Sequence, residues 1–141
     1  MNNRERSEKL FKAAKRLYQE MQDEIESAEW NLAVRKAQEV VEFVLKGLLS
    51  EMGVDYPKVH DVALIFAQEV KSRGLKVEES FLNKILEISS DLSMKRAPAF
   101  YFEEDYSEVE ARDAFESAQK VLSFGDAFLK VLRGEEKMEL K

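Results

Sequence analysis

Asn31, Arg35, Gln38, Glu42 and Lys46 follow one another at spacings of four, three, four and four. On a helix such spacings put side chains on one line. The line alternates amide, cation, amide, carboxylate and cation, and Glu42 and Lys46 have the orientation of a favourable helical ion pair. It offers donors, acceptors and charge in a fixed order, on a stripe set apart from the apolar one. The plainer alternative is a solvated face carrying ordinary helix pairs. The chain's only histidine, His60, follows shortly after, with Asp61 beside it and Pro57 just before. Proline is welcome at a helix start, so His60 is expected in the first turn of the next helix. A helix N-terminus disfavours the imidazolium, whereas Asp61 favours it. A capping or packing role is the alternative.

A third constellation is Lys95-Arg96-Ala97-Pro98-Ala99-Phe100-Tyr101-Phe102. Cations beside aromatics in a loop can stack on a base and clamp a phosphate. Folding back over the end of the core is the competing use for those rings. The acids that follow, Glu103, Glu104 and Asp105, would repel phosphate; a run of this kind is more often solvent-facing than a magnesium site. One histidine and no cysteine make a zinc site within one chain unexpected, and they exclude thiolate chemistry. The scattered glycines form no phosphate-cradling loop, and no nucleophile sits in a recognisable setting. No metal and no cofactor are expected.

These groups need helices to hold them. Apolar residues recur at three and four throughout, and nothing reads as a strand. Helix 1 is expected over about Arg4 to Asp23, with Leu10, Ala14, Leu17 and Met21 inward. Whether residues 23 to 27 are a break or a fray stays open. Helix 2 spans about Ala28 to Met52, with Trp30, Ala33, Ala37, Val40, Val41, Val44, Leu45 and Leu48 inward, and Gly53 turns its end. Helix 3 covers about Val59 to Arg73, with Val59, Val62, Ala63, Phe66 and Val70 inward. Helix 4 covers about Glu79 to Lys95 on Phe81, Ile85, Ile88 and Leu92, and Ala97-Pro98 stops it. An irregular stretch follows from Arg96 to Tyr106. Ser107 and Glu110 then form a capping box for helix 5, which runs from Glu108 to Arg133. The expectation is an all-α, antiparallel up-and-down bundle of about five helices: one domain over residues 1–134, then a charged tail over 135–141. Helices 2 and 5 look apolar over a wide arc, which suggests a homodimer through the surplus face.

The chain of 141 residues is long enough for a core without staples, and 35% of it is charged. No apolar run reaches the ~20 residues of a membrane span, and the polar Met1-Asn2-Asn3-Arg4-Glu5-Arg6 start does not read as a signal peptide. A cytoplasmic protein is expected. The net charge of −6 gives no general pull toward nucleic acid, so such contacts must be local. Cations concentrate at Arg4, Arg6, Lys9, Lys12, Lys15 and Arg16, and acids between Glu103 and Glu116. This asymmetry either orients two copies head to tail or marks two solvated faces.

The run from Trp30 to Leu49, with Arg35, Gln38, Glu42 and Lys46 in place, resembles helix 2 of the HEPN domain family. The segment from Gly53 to Val62, with its His60-Asp61 pair, is similar to the loop that opens the family's helix 3. Arg96-Ala97-Pro98 resembles its Arg-Tyr-Pro segment with the tyrosine replaced, and Ala111, Ala114 and Ala118 match its alanine-rich last helix. The resemblance spans roughly residues 5 to 133. It implies a dimeric bundle working near nucleotides or RNA. One branch consists of metal-independent RNases in which an arginine is followed four to six residues on by a histidine. Here positions 53 to 55 are Gly, Val and Asp, so that motif is missing. The other branch consists of small HEPN proteins paired with a minimal nucleotidyltransferase as a toxin–antitoxin module. That branch implies a binding protein with a nucleotidyltransferase partner and a nucleotide or RNA ligand. Arg35, Lys46 and Arg96 would meet phosphate, His60 would donate to it or to a base, and Gln38, Glu42 and Tyr101 complete the candidate surface. An atypical RNase using His60 with Arg96 or Arg35, and a structural dimer without ligand, are the other two readings.

Overall fold

The computed structural model describes residues 1–134, so the expected tail over 135–141 lies outside the described residues. Five helices follow one another: α1 (Asn3–Glu26), α2 (Trp30–Glu51), α3 (Ala63–Ser72), α4 (Glu79–Phe100) and α5 (Glu108–Leu132). No strand occurs among the described residues. None of the helices is long and apolar enough to cross a membrane.

The sequence alone dictates much of this. Asn2 caps α1 by accepting a hydrogen bond from the Glu5 amide at 2.8 Å. Ser107 and Glu110 form the expected capping box at the start of α5. The break after α1 is real and falls at residues 27–29, slightly later than expected: Ala28 takes the left-handed conformation at φ 58°, and the Glu29 amide donates back to the Glu24 carbonyl at 2.8 Å.

α2 is the axis around which the rest is built. Buried residues occur on it in adjacent pairs, Ala33 with Val34, Val40 with Val41, Val44 with Leu45, and Leu48 with Leu49. Neighbouring positions are turned about 100° apart, so pairs like these make a wide buried arc. α1, α3, α4 and α5 all pack against it. The apolar breadth of α2 is therefore that of a central element, although Leu32 and Phe43 on its remaining face are only partly buried. At one crossing the Phe11 ring of α1 lies against glycines of two other helices. A Cβ added at Gly47 would stand 2.7 Å from that ring, and one at Gly125 would stand 3.2 Å from it and 2.4 Å from Val44 Cγ1. Phe66, Phe124 and Phe128 form a ring cluster beyond, with centroids 5.1–6.1 Å apart.

Three local expectations are corrected. α3 begins at Ala63, so His60 lies in the preceding loop and Val59 is exposed, not inward. α4 does not stop at Pro98 but runs on to Phe100. Proline there forfeits a single backbone donor, and α2 stitches the turn from outside: Asn31 Nδ2 donates to the Ala99 carbonyl at 3.3 Å and to the Glu104 carbonyl at 2.8 Å, while its Oδ1 accepts from the Tyr106 amide at 3.0 Å. Finally, Phe100, Tyr101 and Phe102 do not fold back over the core; all are exposed.

Candidate functional site

The polar line on α2 does not face outward as expected. Gln38 is 1% and Glu42 7% exposed, because α4 and the loop over residues 52–62 cover them. The Glu42 carboxylate is gripped on both oxygens. Oε2 accepts from Lys46 Nζ at 2.6 Å, and Oε1 accepts from Gln38 Nε2 at 2.9 Å and meets His60 Nδ1 at 2.8 Å. Burial alone would raise the pKa of Glu42, but the bonds from Lys46, Gln38 and His60 outweigh it and hold the carboxyl below its ordinary value. An ionised Glu42 only accepts, so Nδ1 of His60 must carry the proton. The other ring nitrogen, Nε2, is left clear of Glu42 on a side chain that is 56% exposed.

α4 closes the other side. Arg96 donates through one guanidinium nitrogen to Gln38 Oε1 at 2.9 Å and pairs with Glu39 Oε1 at 3.3 Å. Arg35 reaches the same Glu39 oxygen at 3.6 Å and lies 5.0 Å over the Phe100 ring. Lys46 sits 5.6 Å over Tyr56. Gln38, Glu42, Lys46, His60 and Arg96 therefore form one connected network, to which Arg35 is joined through Glu39. His60, Ser93, Arg96, Ala97, Phe100 and Tyr101 line an open cleft of about 300 Å³. Its walls combine an imidazole, a guanidinium and two aromatic rings. Of the expected site residues, Tyr101 is at the rim, with its ring 4.9 Å from Phe100. No group of three or more His, Cys, Asp or Glu among the described residues is placed to hold a metal ion.

Glu39, Ser93 and the pairing of Asp61 with Ser89 are not among the expected site residues, whereas Phe100 belongs to the cation–aromatic run. Glu39 carries a local signal, since it stands four residues after Arg35. Asp61 and Ser89 are far apart in sequence and carry none. Asp61 Oδ1 accepts from the Ala63 amide at 3.1 Å, starting α3, and from Ser89 Oγ of α4 at 2.7 Å. This clamp ties the loop that carries His60 to the helix that carries Arg96. Asp61→Ala removes both bonds and strands a buried hydroxyl, at a cost of about 1–3 kcal/mol. Urea unfolding should show it as a lowered midpoint at unchanged slope.

The fold has a counterpart among known proteins. The HEPN domain family model matches residues 7–128. The chain belongs to the HEPN family. A search of solved structures adds the crystal structure of ST0689, an archaeal HEPN homologue. It has 22% identity and a TM-score of 0.67, over 88% of this chain and 98% of that one. At this identity the likeness concerns the HEPN fold alone. No curated protein matches the chain. In this HEPN domain the expected all-α class holds, and Gln38 and Glu42 on helix 2 hold Arg96 and His60 of the cleft from behind.

Proposed function

We propose that this HEPN domain is a binding protein that holds a nucleotide or an RNA phosphate in the cleft between His60 and Arg96, as the partner of a minimal nucleotidyltransferase in a toxin–antitoxin-type module. One observation carries the ligand: a buried carboxylate orients His60 beside Arg96 on the wall of a cleft rimmed by Phe100 and Tyr101. The guanidinium takes the phosphate, the rings stack on a base, and His60 supplies a positioned nitrogen. The partner rests on the resemblance of the Trp30–Leu49 run and on the missing RNase motif. A homodimer belongs to the same proposal; the exposed Met94, Phe100, Tyr101 and Phe102 support it.

Isothermal titration with AMP tests the ligand. Arg96→Ala should weaken binding about tenfold or more, the worth of one hydrogen bond to a charged group; equal affinity in both proteins counts against the cleft. Co-expression with a neighbouring nucleotidyltransferase tests the partner, and failure to co-purify counts against it. A second reading, an atypical RNase, has one observation in its favour. With Nδ1 on Glu42, Nε2 of His60 is free to take a proton from a 2′-hydroxyl while Arg96 steadies the phosphate. Cleavage of labelled RNA that is equal in wild type and His60→Ala would end that reading.

A further inference from the structure

A cavity of about 450 Å³ lies between the first half of α4 and the second half of α5. It shares no lining residue with the cleft between His60 and Arg96. Val77, Phe81, Phe124 and Ala127 give it an apolar floor, and Gln119, Lys120 and Ser123 stand along its α5 edge. The space exists because α4 and α5 both pack on α2 and scarcely on each other. Its end wall at Val77 is set in advance by the connector over residues 73–78. Gly74 takes a φ of 65° there, the Leu75 amide donates to the Val70 carbonyl at 3.0 Å, and the Val77 amide donates to the Leu75 carbonyl at 3.2 Å. A pre-formed apolar hollow with a few convergent polar groups is the usual shape of a small-molecule site.

The lining has a sign. The chain carries a net charge of −6, yet no carboxylate lines this cavity. Its charged member is Lys120, which has no ion-pair partner among the described residues, although Glu116 stands one turn before it. Gln119 and Ser123 add an amide and a hydroxyl that can donate. The floor has a shape as well. The Phe81 and Phe124 rings meet at 52° with centroids 5.0 Å apart, so they form a bent surface and no parallel slot for a flat ring. A flexible chain follows such a surface better than a planar base does. An apolar cavity of about 150 Å³ takes one benzene, so this one has room for a chain of roughly ten carbons and its head group. We infer that the cavity is a binding site for a medium-chain aliphatic carboxylate. The chain lies on Val77, Phe81, Phe124 and Ala127, and the carboxylate meets Lys120 and Ser123. This site is independent of the nucleotide-binding reading given above.

The test is isothermal titration with hexanoate, octanoate and decanoate, with 1-octanol as the uncharged comparison. Affinity should rise about fourfold for each methylene that the cavity buries. Lys120→Gln should weaken octanoate about fivefold, the most that an exposed ion pair gives, and leave 1-octanol unchanged. Ser123→Leu brings a large side chain to the cavity from an exposed helix position. Its fold should persist and its binding of both compounds should be lost. In methyl-resolved NMR spectra of the wild type, octanoate should shift the Val77 and Ala127 signals. An affinity indifferent to chain length, full binding in Ser123→Leu, equal losses of octanoate and 1-octanol in Lys120→Gln, or unmoved Val77 and Ala127 methyls overturns the inference. A Ser123→Leu protein that sediments as a monomer where the wild type is a dimer also overturns it, since the cavity is then a contact between copies.

Discussion

The Glu42→Ala variant should be less stable than the parent by about 3 kcal/mol at neutral pH, because removing one member of a buried ionic group strands the others. Lys46, whose side chain is 12% exposed, loses its partner, and Gln38 Nε2 and His60 Nδ1 lose their common acceptor. The pH dependence follows from the direction of the Glu42 shift. Its carboxyl ionises more readily in the folded protein than in the unfolded chain. It therefore adds stability above the unfolded value of about 4.3, and that contribution is lost as pH falls through the lower folded value. Urea unfolding of both proteins at about pH 7 and about pH 3 should show the gap between them narrowing on acidification. Equal midpoints at neutral pH would mean that the carboxylate holds nothing together.

Phe11→Ala should cost about 3–5 kcal/mol, the usual range for emptying a buried phenylalanine site. The site cannot collapse easily, since Gly47 and Gly125 present bare backbone to the ring and have no side chains to move inward. Gly125→Ala approaches the same crossing from the other side. Alanine improves helix propensity by up to about 1 kcal/mol, but its Cβ would stand 2.4 Å from Val44 Cγ1, and overpacking of this kind costs about 1–3 kcal/mol. The crowding should dominate, and Val44→Ala in the same chain should relieve part of it. Thermal unfolding of the set gives the coupling directly; a Phe11→Ala midpoint close to the parent's would show that the crossing repacks.

The helices were legible because each announces itself locally. Ser107 and Glu110 mark the start of α5 three residues apart, and Ile85, Ile88 and Leu92 repeat at helical spacing on α4. The helix 2 line and His60 were legible as a group. Their depth was not, because periodicity fixes which residues share a face and leaves open what covers that face. The same polar stripe would be a wet surface without α4, and it became an internal network once Arg96 reached Gln38 from 58 residues away. The end of α4 was misread for a related reason. Pro98 carries a strong local stop signal, whereas the Asn31 bonds that hold the last turn come from another helix. The role of Phe11 was hidden because a glycine's lack of a side chain says nothing about which ring will fill the space.

Four other helices pack against α2, so most of its surface is inside the protein. Gln38 and Glu42 lie behind Arg96 of α4 and His60 of the 52–62 loop, and Asp61 with Ser89 latches that loop to α4. Control over His60 therefore resides in its frame: a partner that shifts the last turns of α4, or a modification that springs the latch, retunes the imidazole without touching it.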